Sequence, residues 1–586
     1  MKKIVLIEPQ SKADHVYKSV RMPRLGLPIL GVQLKAAGYA VNLYVGTSGS
    51  LPWSRILDAD LVGISTTTAT SREAYRMAGY LRARRIPVVL GGIHATYMPD
   101  EALLYADYVV RGEADCTFLP LVQALEKGEP PHHIPGVSYC HEGAAIHNPC
   151  DPDPVELDQV PPPDFTLFDN QKPLRSIPVM TSRGCPYNCI FCSVTPMFGR
   201  RYRYRSTEKI LQELTAYRGR HLFFCDDNFT AHPARSRELL RGMIDRQIGL
   251  KGWGAQVRAE VARDEELLQL LQRAGCKIVY IGLESINPDT LEHYNKQQTV
   301  EDISLCIRRF HQHGIRVHGM FVFGSDFDTV QTIRDTVDFA LQTRVDSVQF
   351  LILTPLPGTQ LFKKLEAEGR LLTRDWELYD GHHAVFQPAL MTPEQLQEET
   401  IRAFKRFYSL RHVFQNLTLT GWGSALYRVI GLGLSRHFEY KNRWYLRYLG
   451  MLQNLEPQPI PLFYRLLKGR DGKEESPAGL PLKISLTENN GILHLRLRGI
   501  IGRLTLVELH RTLKSFLPRR CFHLVINMEG LHFASEQAAA SFSLYLEKIA
   551  ERVQRLQVIT AGGAILYRAP GLRIRLPRFE LLFSRR

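Results

Sequence analysis

Three features that would assign this chain to other protein classes are missing from its sequence. Cysteine is scarce, at ten of 586 residues, so we do not expect a disulfide framework. Apolar runs such as HGMFVFG have the length of a strand, and none reaches the about eighteen residues of a membrane span. The opening MKKIVLIEPQ has no apolar segment followed by a small-residue cleavage site, so we expect a cytoplasmic protein without a secretory signal.

The length and the charge of the chain indicate several domains and an anionic partner. A chain of 586 residues is too long for one hydrophobic core. The formal charge of +15 fits nucleic acid, phosphates or a membrane surface. Residues 401–450 carry nine Lys or Arg against one acid. No nucleic-acid-binding motif accompanies them, so we expect either peripheral contact with an anionic membrane or a solvated basic helical lid.

Residues 1–135 alternate short apolar runs with helical stretches. The apolar runs are KIVLIEP, AVNLYVG, DLVGIS, PVVLGG and YADYVVRGEAD, and helical segments such as SREAYRMAGYLRAR separate them. This alternation is typical of a parallel sheet with helices on both faces. Five strands in such an arrangement predict a flavodoxin-like (Rossmann-type) α/β domain that binds its ligand at the carboxyl ends of the strands.

A second alternation extends from residue 173 to 365. Six strand candidates, from SIPVMT to DSVQFLILT, are each followed by a helix-like stretch. Six βα units predict a partial (βα)6 TIM-type barrel with its site at the C-terminal strand ends. The other predicted segments are a proline-rich linker at 136–172, a mostly helical extension at 366–455, a second linker at 456–480 and a small α/β domain at 481–586.

Three of the ten cysteines fall within the stretch TSRGCPYNCIFCSVTPMFG after the first barrel strand. Cys185, Cys189 and Cys192 have the spacing C-x3-C-x2-C. Plain buried thiols rarely cluster this tightly in a loop, and a structural zinc would need a fourth Cys or a His, which no residue within a dozen positions supplies. Three thiolates on one loop can instead hold a [4Fe–4S] cluster whose fourth iron lacks a protein ligand.

This motif at the first strand of a βα barrel resembles that of the radical S-adenosylmethionine (SAM) enzymes. The resemblance implies that the open iron binds the amino and carboxylate groups of SAM, and that one electron cleaves SAM to a 5′-deoxyadenosyl radical. It also implies SAM-binding residues in the cluster loop and at the following strand ends, namely Phe191, Asp226, Asp227, Asn228, Arg258, Glu284 and Gly324.

The front part, with LVGIS, VVLGGIHATYMPDEAL and YVVRGEAD, resembles the cobalamin-binding domain that precedes many radical SAM barrels. The resemblance implies a cobalamin site lined by Ser65, Thr66, Thr67, Gly91, Gly92, His94, Thr96, Gly112 and Glu113. The D-x-H-x-x-G pattern that supplies a lower cobalt ligand in some cobalamin proteins is absent, and His15 stands alone. We therefore expect cobalt without a histidine from below; the alternative is a domain that has lost cobalamin.

The two resemblances together cover about residues 1–410. They imply a cobalamin-dependent radical SAM enzyme that methylates an unactivated carbon of a lipid or secondary metabolite, with a flavodoxin-type electron donor. Two alternatives stay open. One is a radical cyclase or rearrangement enzyme without methyl transfer, and the other is an interaction protein with a degenerate barrel.

The last segment, with LVINMEGLHFASEQAAASF, resembles a STAS-type domain and implies a protein partner. Ser535 stands where that family may be phosphorylated, and it is equally suited to be a helix N-cap. In the barrel extension, Tyr379, Asp380, His382 and His383 form a polar cluster. We expect this cluster either in a substrate pocket or in the core.

Overall fold

A computed structural model describes most of the first 409 residues and parts of the remainder. The described residues are 2–11, 22–151, 155–169, 174–409, 429, 431–433, 436, 439–440, 445–446, 449, 483–489, 492–501, 521–528, 531–533, 542, 553–560 and 563–568. The chain divides into two units, Met1–Glu456 and Pro457–Arg586. His15, Ser535 and most of the basic 401–450 segment lie outside the described residues.

A seven-stranded sheet with its helices forms the front domain of the first unit. Its strands are β1 (Lys3–Pro9), β2 (Ala40–Gly46), β3 (Leu61–Ser65), β4 (Val88–Gly91), β5 (Tyr108–Val110), β6 (Val137–His141) and β7 (Ala144–His147). Its helices are α1 (Gly26–Ala36), α2 (Trp53–Ile56), α3 (Ser71–Arg82), α4 (Ile93–Tyr97), α5 (Pro99–Leu103) and α6 (Phe118–Lys127). The order β2-β1-β3-β4-β5, all parallel, confirms the flavodoxin-like prediction.

Strands β6 and β7 continue this sheet in antiparallel pairing, whereas the sequence predicts a linker over residues 136–172. The two strands are joined by Glu142 and Gly143, both with positive φ, as a tight hairpin turn requires. Val137 and Ser138 are buried where β6 pairs with β5. The sequence does not predict this short hairpin, because the residues that follow it are rich in proline and indicate a linker.

The barrel follows with six parallel strands in the order β15-β14-β13-β12-β11-β8. The strands from here to the end of the barrel are β8 (Ser176–Val179), the short pair β9 (Ser182–Arg183) and β10 (Arg203–Tyr204), then β11 (His221–Phe224), β12 (Gly252–Val257), β13 (Cys276–Glu284), β14 (Arg316–Phe323) and β15 (Ser347–Ile352). This confirms the predicted (βα)6 architecture.

Nine helices are described in and after the barrel. They are α7 (Val194–Phe198), α8 (Thr207–Thr215), α9 (Pro233–Asp245), α10 (Glu265–Arg273), α11 (Pro288–His293), α12 (Val300–Gln312), α13 (Val330–Gln342), α14 (Gln360–Ala367) and α15 (Pro393–Phe407). Capping boxes begin α12 at Thr299, α13 at Thr329 and α15 at Thr392, which satisfies free N–H groups of each first turn. Within the described residues, no helix is both long and apolar enough to cross a membrane.

The front domain and the barrel contact each other directly within the first unit. Trp376 Nε1 donates a hydrogen bond of 2.9 Å to Glu101 Oε1. The ring of Tyr97 lies against Gly358, where a Cβ atom would approach it to 2.4 Å. The strand ends of the two sheets can therefore contribute to one site.

The second unit contains a sheet of six strands. They are β16 (Lys483–Asn489), β17 (Ile492–Ile501), β18 (Cys521–Asn527), β19 (Leu531–Phe533), β20 (Val553–Thr560) and β21 (Gly563–Arg568). The order is β16-β17-β18-β20-β21, with β19 beside β17. This sheet agrees with the small α/β domain predicted for 481–586, but residues 502–520, 534–541 and 543–552 lie outside the described residues, so the STAS-like assignment stays a prediction.

Substitution of Gly92 by alanine is expected to destabilise the front domain more than the same change at Gly38. Both glycines have a φ near +90°, which costs an alanine about 1 kcal/mol. At Gly92 the new Cβ would also lie 2.4 Å from the Thr66 carbonyl oxygen, whereas nothing lies within 4 Å at Gly38. Urea unfolding should show G92A losing about 2 kcal/mol more than G38A; equal losses would contradict the close backbone approach.

Candidate functional site

A cavity of about 470 Å³ lies where the C-terminal strand ends of the front domain meet the loops of the barrel. The front domain contributes apolar walls from β1, β3, β4, β5 and from helices α1 and α6. The barrel contributes Met180, Ser182, Arg183, Met197, Phe198, Cys225 and Asp227. The two predicted cofactor regions therefore open into one space.

Five of the nine predicted cobalamin residues line this cavity, namely Ser65, Gly91, Gly92, Gly112 and Glu113. The glycines allow a ligand close to the backbone, and Gly92 is packed so tightly on Thr66 that no side chain fits there. No histidine is among the described residues that line the cavity. A broad apolar space at the carboxyl ends of parallel strands suits a large planar cofactor.

The other four predicted residues support the wall without lining it. Thr66 Oγ1 donates to the Gly91 carbonyl at 2.8 Å, and Thr67 and Thr70 form a capping box. Thr96 Oγ1 accepts a hydrogen bond of 3.0 Å from the Gly112 N–H, which holds the loop after β5. These three hydroxyls bond to the protein's own groups, and their predicted contacts with cobalamin stay predictions.

His94 is not among the residues that line the cavity, and its predicted contact with cobalamin stays a prediction. Its side chain is fully buried, and its ring packs edge-on against Trp376 with centroids 5.2 Å apart. Neither ring nitrogen has a hydrogen-bond partner among the described residues, and Glu101 Oε1 is 3.8 Å from Nε2. Helix α4 directs this side chain into the junction with the barrel, away from the cavity.

The three cysteines lie on the loop that leaves β9, and all three are partly exposed. The Cys192 N–H donates to the Cys189 carbonyl at 3.1 Å. Gly184 begins the loop with φ +86°, and a Cβ there would lie 2.6 Å from the Arg201 carbonyl oxygen. The loop therefore depends on glycine directly before its first cysteine.

The chemistry of this loop suits a metal cluster. Burial raises the pKa of the Cys192 thiol to about 12 and also raises the pKa of Cys185. These two thiols are therefore protonated at neutral pH without a metal, and metal binding would release their protons. No three Cys, His, Asp or Glu side chains of the described part of the chain converge on a single metal ion, which a cubane does not require because each thiolate binds its own iron.

Asp226 and Asp227 are neighbours in the sequence with different environments. Asp226 is completely buried, and its Oδ1 accepts hydrogen bonds from the Thr181 and Ser182 N–H groups at 2.7 and 2.6 Å. Its Oδ2 accepts from Thr181 Oγ1 at 2.5 Å. Asp226 therefore connects the end of β11 to the cysteine-bearing segment, and its predicted contact with SAM stays a prediction.

Asp227 faces the cavity. It accepts a hydrogen bond of 3.3 Å from the Gly184 N–H. Burial, followed by the neighbouring Asp226, raises the pKa of Asp227 to about 6. It is the acid of the pair that stays accessible to a cationic ligand.

Asn228 follows Asp227 after β11, and Phe191 lies on the cluster loop between Cys189 and Cys192. Asn228 is buried, and its Oδ1 accepts hydrogen bonds from the N–H and Oγ1 of Thr230. Phe191 packs edge-on against Tyr294, with ring centroids 4.9 Å apart. Their predicted contacts with SAM stay predictions.

Arg258 and Glu284, predicted to bind SAM, are each paired with another side chain. Arg258 Nε is 3.0 Å from Glu260 Oε2, and its guanidinium lies 3.6 Å above the centre of the Tyr187 ring. Glu284 Oε1 accepts a hydrogen bond of 2.7 Å from Lys296 Nζ in a buried ion pair. Sequence reasoning misses Lys296 because no motif marks it in the segment after α11.

The backbone at the ends of β13 and β14 is unusual. Glu284 has φ +61°, a conformation that non-glycine residues rarely adopt. At Gly324, with φ +103°, a Cβ would lie 2.8 Å from the Leu396 side chain. Gly324 is therefore needed for packing against α15, and its predicted approach to adenine stays a prediction.

The polar cluster in the barrel extension belongs to the core. Asp380 accepts from His383 Nδ1 at 2.9 Å in a pair whose side chains are at most 3% exposed. His382 is also buried, and Tyr379 Oη donates to the Thr373 carbonyl at 2.6 Å. Of the two predicted placements, the structure selects the core over the substrate pocket.

Replacement of Asp226 by alanine is expected to cost about 3 kcal/mol of unfolding free energy, because the buried Thr181 and Ser182 N–H groups lose their acceptor. D227A is the matched control and removes a single hydrogen bond.

The Asp227 pKa is raised when folded, so its carboxyl contributes stability at low pH that is lost as the pH rises from about 4 to 6. Urea unfolding should therefore show D227A gaining about 1–2 kcal/mol relative to the native chain between pH 4 and 7; equal effects of D226A and D227A at pH 7 would contradict the assignment.

Comparison with known proteins agrees with this architecture. The family model described as Radical SAM superfamily matches residues 179–340, and that described as B12 binding domain matches residues 19–122. The chain superposes on the radical SAM methyltransferase TsrM of Kitasatospora setae, solved with cobalamin and a [4Fe-4S] cluster bound, with a TM-score of 0.57 and 18% identity over 75% of this chain and 99% of that chain. That similarity shows the shared fold.

Curated relatives extend the comparison. An uncharacterized methyltransferase of Pyrococcus horikoshii is 32% identical over 428 residues, or 70% of this chain and 92% of the relative. The bacteriochlorophyllide d C-12(1)-methyltransferase of Chlorobaculum tepidum is 30% identical over 420 residues, or 70% and 87%. An anaerobic magnesium-protoporphyrin IX monomethyl ester cyclase of Rubrivivax gelatinosus is 27% identical over 434 residues, or 69% and 77%. The chain therefore belongs to the cobalamin-dependent radical SAM enzymes, a family of methyltransferases and cyclases, and its cofactors are a [4Fe–4S] cluster, SAM and cobalamin.

Proposed function

We propose that this enzyme replaces a C–H bond of an apolar small molecule or lipid by a C–CH3 bond. The observation that carries the proposal is the single cavity into which both the front-domain strand ends and the loops of the barrel open. When bound, the cofactors supply the radical and the methyl group. The protein supplies the relative placement of the reacting centres.

The cysteine loop holds the cluster through Cys185, Cys189 and Cys192. Asp227 is the acidic group in the cavity wall that suits the amino group of SAM. The loops with Gly91, Gly92 and Gly112 hold the cobalamin ring close to the backbone.

The substrate class rests on the relatives, because the cavity walls are already assigned to cobalamin. Thirteen of the 28 residues that line the cavity are leucine, isoleucine, valine, methionine or phenylalanine, and five are charged. Such an enclosure limits the access of competing reactants to a reactive intermediate. The methylation of a bacteriochlorophyllide by the Chlorobaculum relative supports a tetrapyrrole or similarly apolar ring system as substrate.

A second candidate reaction is cyclisation without methyl transfer. The Rubrivivax cyclase, of which the chain covers 77%, favours it. The two reactions differ in their products, because methylation adds one methylene unit to the substrate mass and cyclisation adds none.

The sequence also supports three partner proposals. A flavodoxin-type protein would supply the electron, the basic 401–450 segment would contact an anionic membrane, and the STAS-like segment would bind a protein partner. The described residues do not include enough of either segment to place these surfaces.

Isotope labelling in cells tests the reaction directly, because the label marks the product whatever the substrate is. Oxygen-free cultures expressing the enzyme or C189A are fed methionine with a deuterated methyl group, and apolar extracts are compared by mass spectrometry. We expect at least one compound that carries the intact deuterated methyl group only with the active enzyme. A compound that instead loses hydrogen without gaining the label would establish the cyclase.

Replacement of Cys189 by alanine should abolish the cluster, since two thiolates on this loop no longer anchor three irons. After oxygen-free reconstitution, we expect C189A to lose most of its iron and sulfide and to form no 5′-deoxyadenosine from SAM. C140A is the matched control, because Cys140 is an exposed thiol of β6. If C189A keeps a full cluster, the proposed ligand set is wrong.

A further inference from the structure

We infer that Arg183 is a positioning residue that fixes the cysteine loop relative to the cobalamin wall, and so sets the geometry between the two cofactor sites. Arg183 stands two residues before Cys185 and lines the cavity. Neither its identity nor its role follows from the cysteine motif. The inference rests on the cofactor sites proposed above, and its tests do not require methyl transfer.

The guanidinium of Arg183 donates hydrogen bonds across the domain junction through both Nη1 and Nη2. Nη1 donates to Glu113 Oε2 at 2.6 Å and to Asp115 Oδ2 at 2.7 Å, and Nη2 donates to Asp115 Oδ1 at 3.0 Å. Nε points to Met180 Sδ at 3.2 Å. A bidentate pairing of this kind fixes orientation as well as distance.

A second arginine completes a charge-balanced cluster. Arg203 donates to both carboxylate oxygens of Glu113 and, at 3.0 Å, to the Val155 carbonyl. The four side chains of Arg183, Arg203, Glu113 and Asp115 are between 9% and 15% exposed. Removing one member would leave a buried charge without its partner, which is costly.

Further contacts hold the backbone in place on both sides of this junction. Glu113 and Asp115 follow Gly112, whose loop lines the cobalamin side and is held by Thr96. On the other side, Arg183 pairs with Arg203 in the short β9–β10 ladder. The close contact of Gly184 with the Arg201 carbonyl then leaves the segment up to Cys185 little freedom.

These contacts account for the position of Glu113 in the cavity wall. Its carboxylate accepts hydrogen bonds from two arginines, so its hydrogen-bonding capacity is used within the protein. We therefore assign Glu113 to the junction and not to a polar contact with cobalamin, although it lines the same cavity.

The test compares R183Q and R183K with R205Q. Arg205 forms an equally buried ion pair with Glu213 inside the barrel, where both side chains are 6% exposed, and it also donates to the Met180 carbonyl at 3.1 Å. R205Q therefore removes a buried charge without removing any contact to Glu113 or Asp115. Affinity for hydroxocobalamin is measured by absorbance titration. The separation of the two cofactors is measured by electron paramagnetic resonance, from the dipolar coupling between cob(II)alamin and the reduced cluster.

We expect R183Q to keep its iron and the change in cluster signal on SAM addition, but to bind hydroxocobalamin at least tenfold more weakly and to show a broadened dipolar coupling. R183K should recover part of the affinity, because lysine can pair with one carboxylate. R205Q should bind within twofold of the native enzyme. Loss of the cluster in R183Q, or an unchanged affinity and coupling, would overturn the inference.

The double variant R183Q/D115N guards against a simple folding defect, since it removes one charge of each sign and keeps the ion pair of Arg203 with Glu113. If it folds, keeps its cluster and still binds hydroxocobalamin at least tenfold more weakly, the directional contacts of Arg183 are what matter. If it binds with native affinity and native dipolar coupling, the junction serves only charge balance and the positioning role is wrong.

Discussion

Parallel strand pairing is the constraint on which the whole site depends. In the two large sheets of the first unit, the main strands run in the same direction. The loops that follow the carboxyl ends of these strands therefore lie along one edge of each sheet. The direct packing of the front domain on the barrel, through pairs such as Trp376 and Glu101, brings the two edges together. A cavity bounded by both is the geometric result.

Desolvation decides which polar residues at these edges can serve a ligand. A buried carboxylate must find hydrogen bonds or a cation inside the protein, and Asp226, Glu284 and Asp380 have each found them. Asp227 accepts one long hydrogen bond and lines the cavity. A polar side chain at the strand ends can therefore bind a ligand only where the protein leaves some of its hydrogen-bonding capacity unused.

The strands, their order and the cysteine loop can be predicted from the sequence because they depend on local apolar runs and on a short motif. The difference between Asp226 and Asp227 cannot, since it arises from the Thr181 and Ser182 N–H groups about 45 residues away in the chain. The β6–β7 hairpin escapes prediction for a local reason, namely its weak alternation beside prolines. Lys296 and the partners of Arg183 escape it because ion pairs across elements leave no trace in sequence spacing.

The charges of the buried arginine and carboxylate cluster at the domain junction respond to salt differently from the charges on the protein surface. The chain carries a formal charge of +15, and attraction through exposed charges weakens as salt shortens the Debye length. The junction charges are largely removed from solvent, where mobile ions screen them far less. A rise in ionic strength would therefore slow encounters with an acidic partner while leaving the internal alignment of the enzyme unchanged.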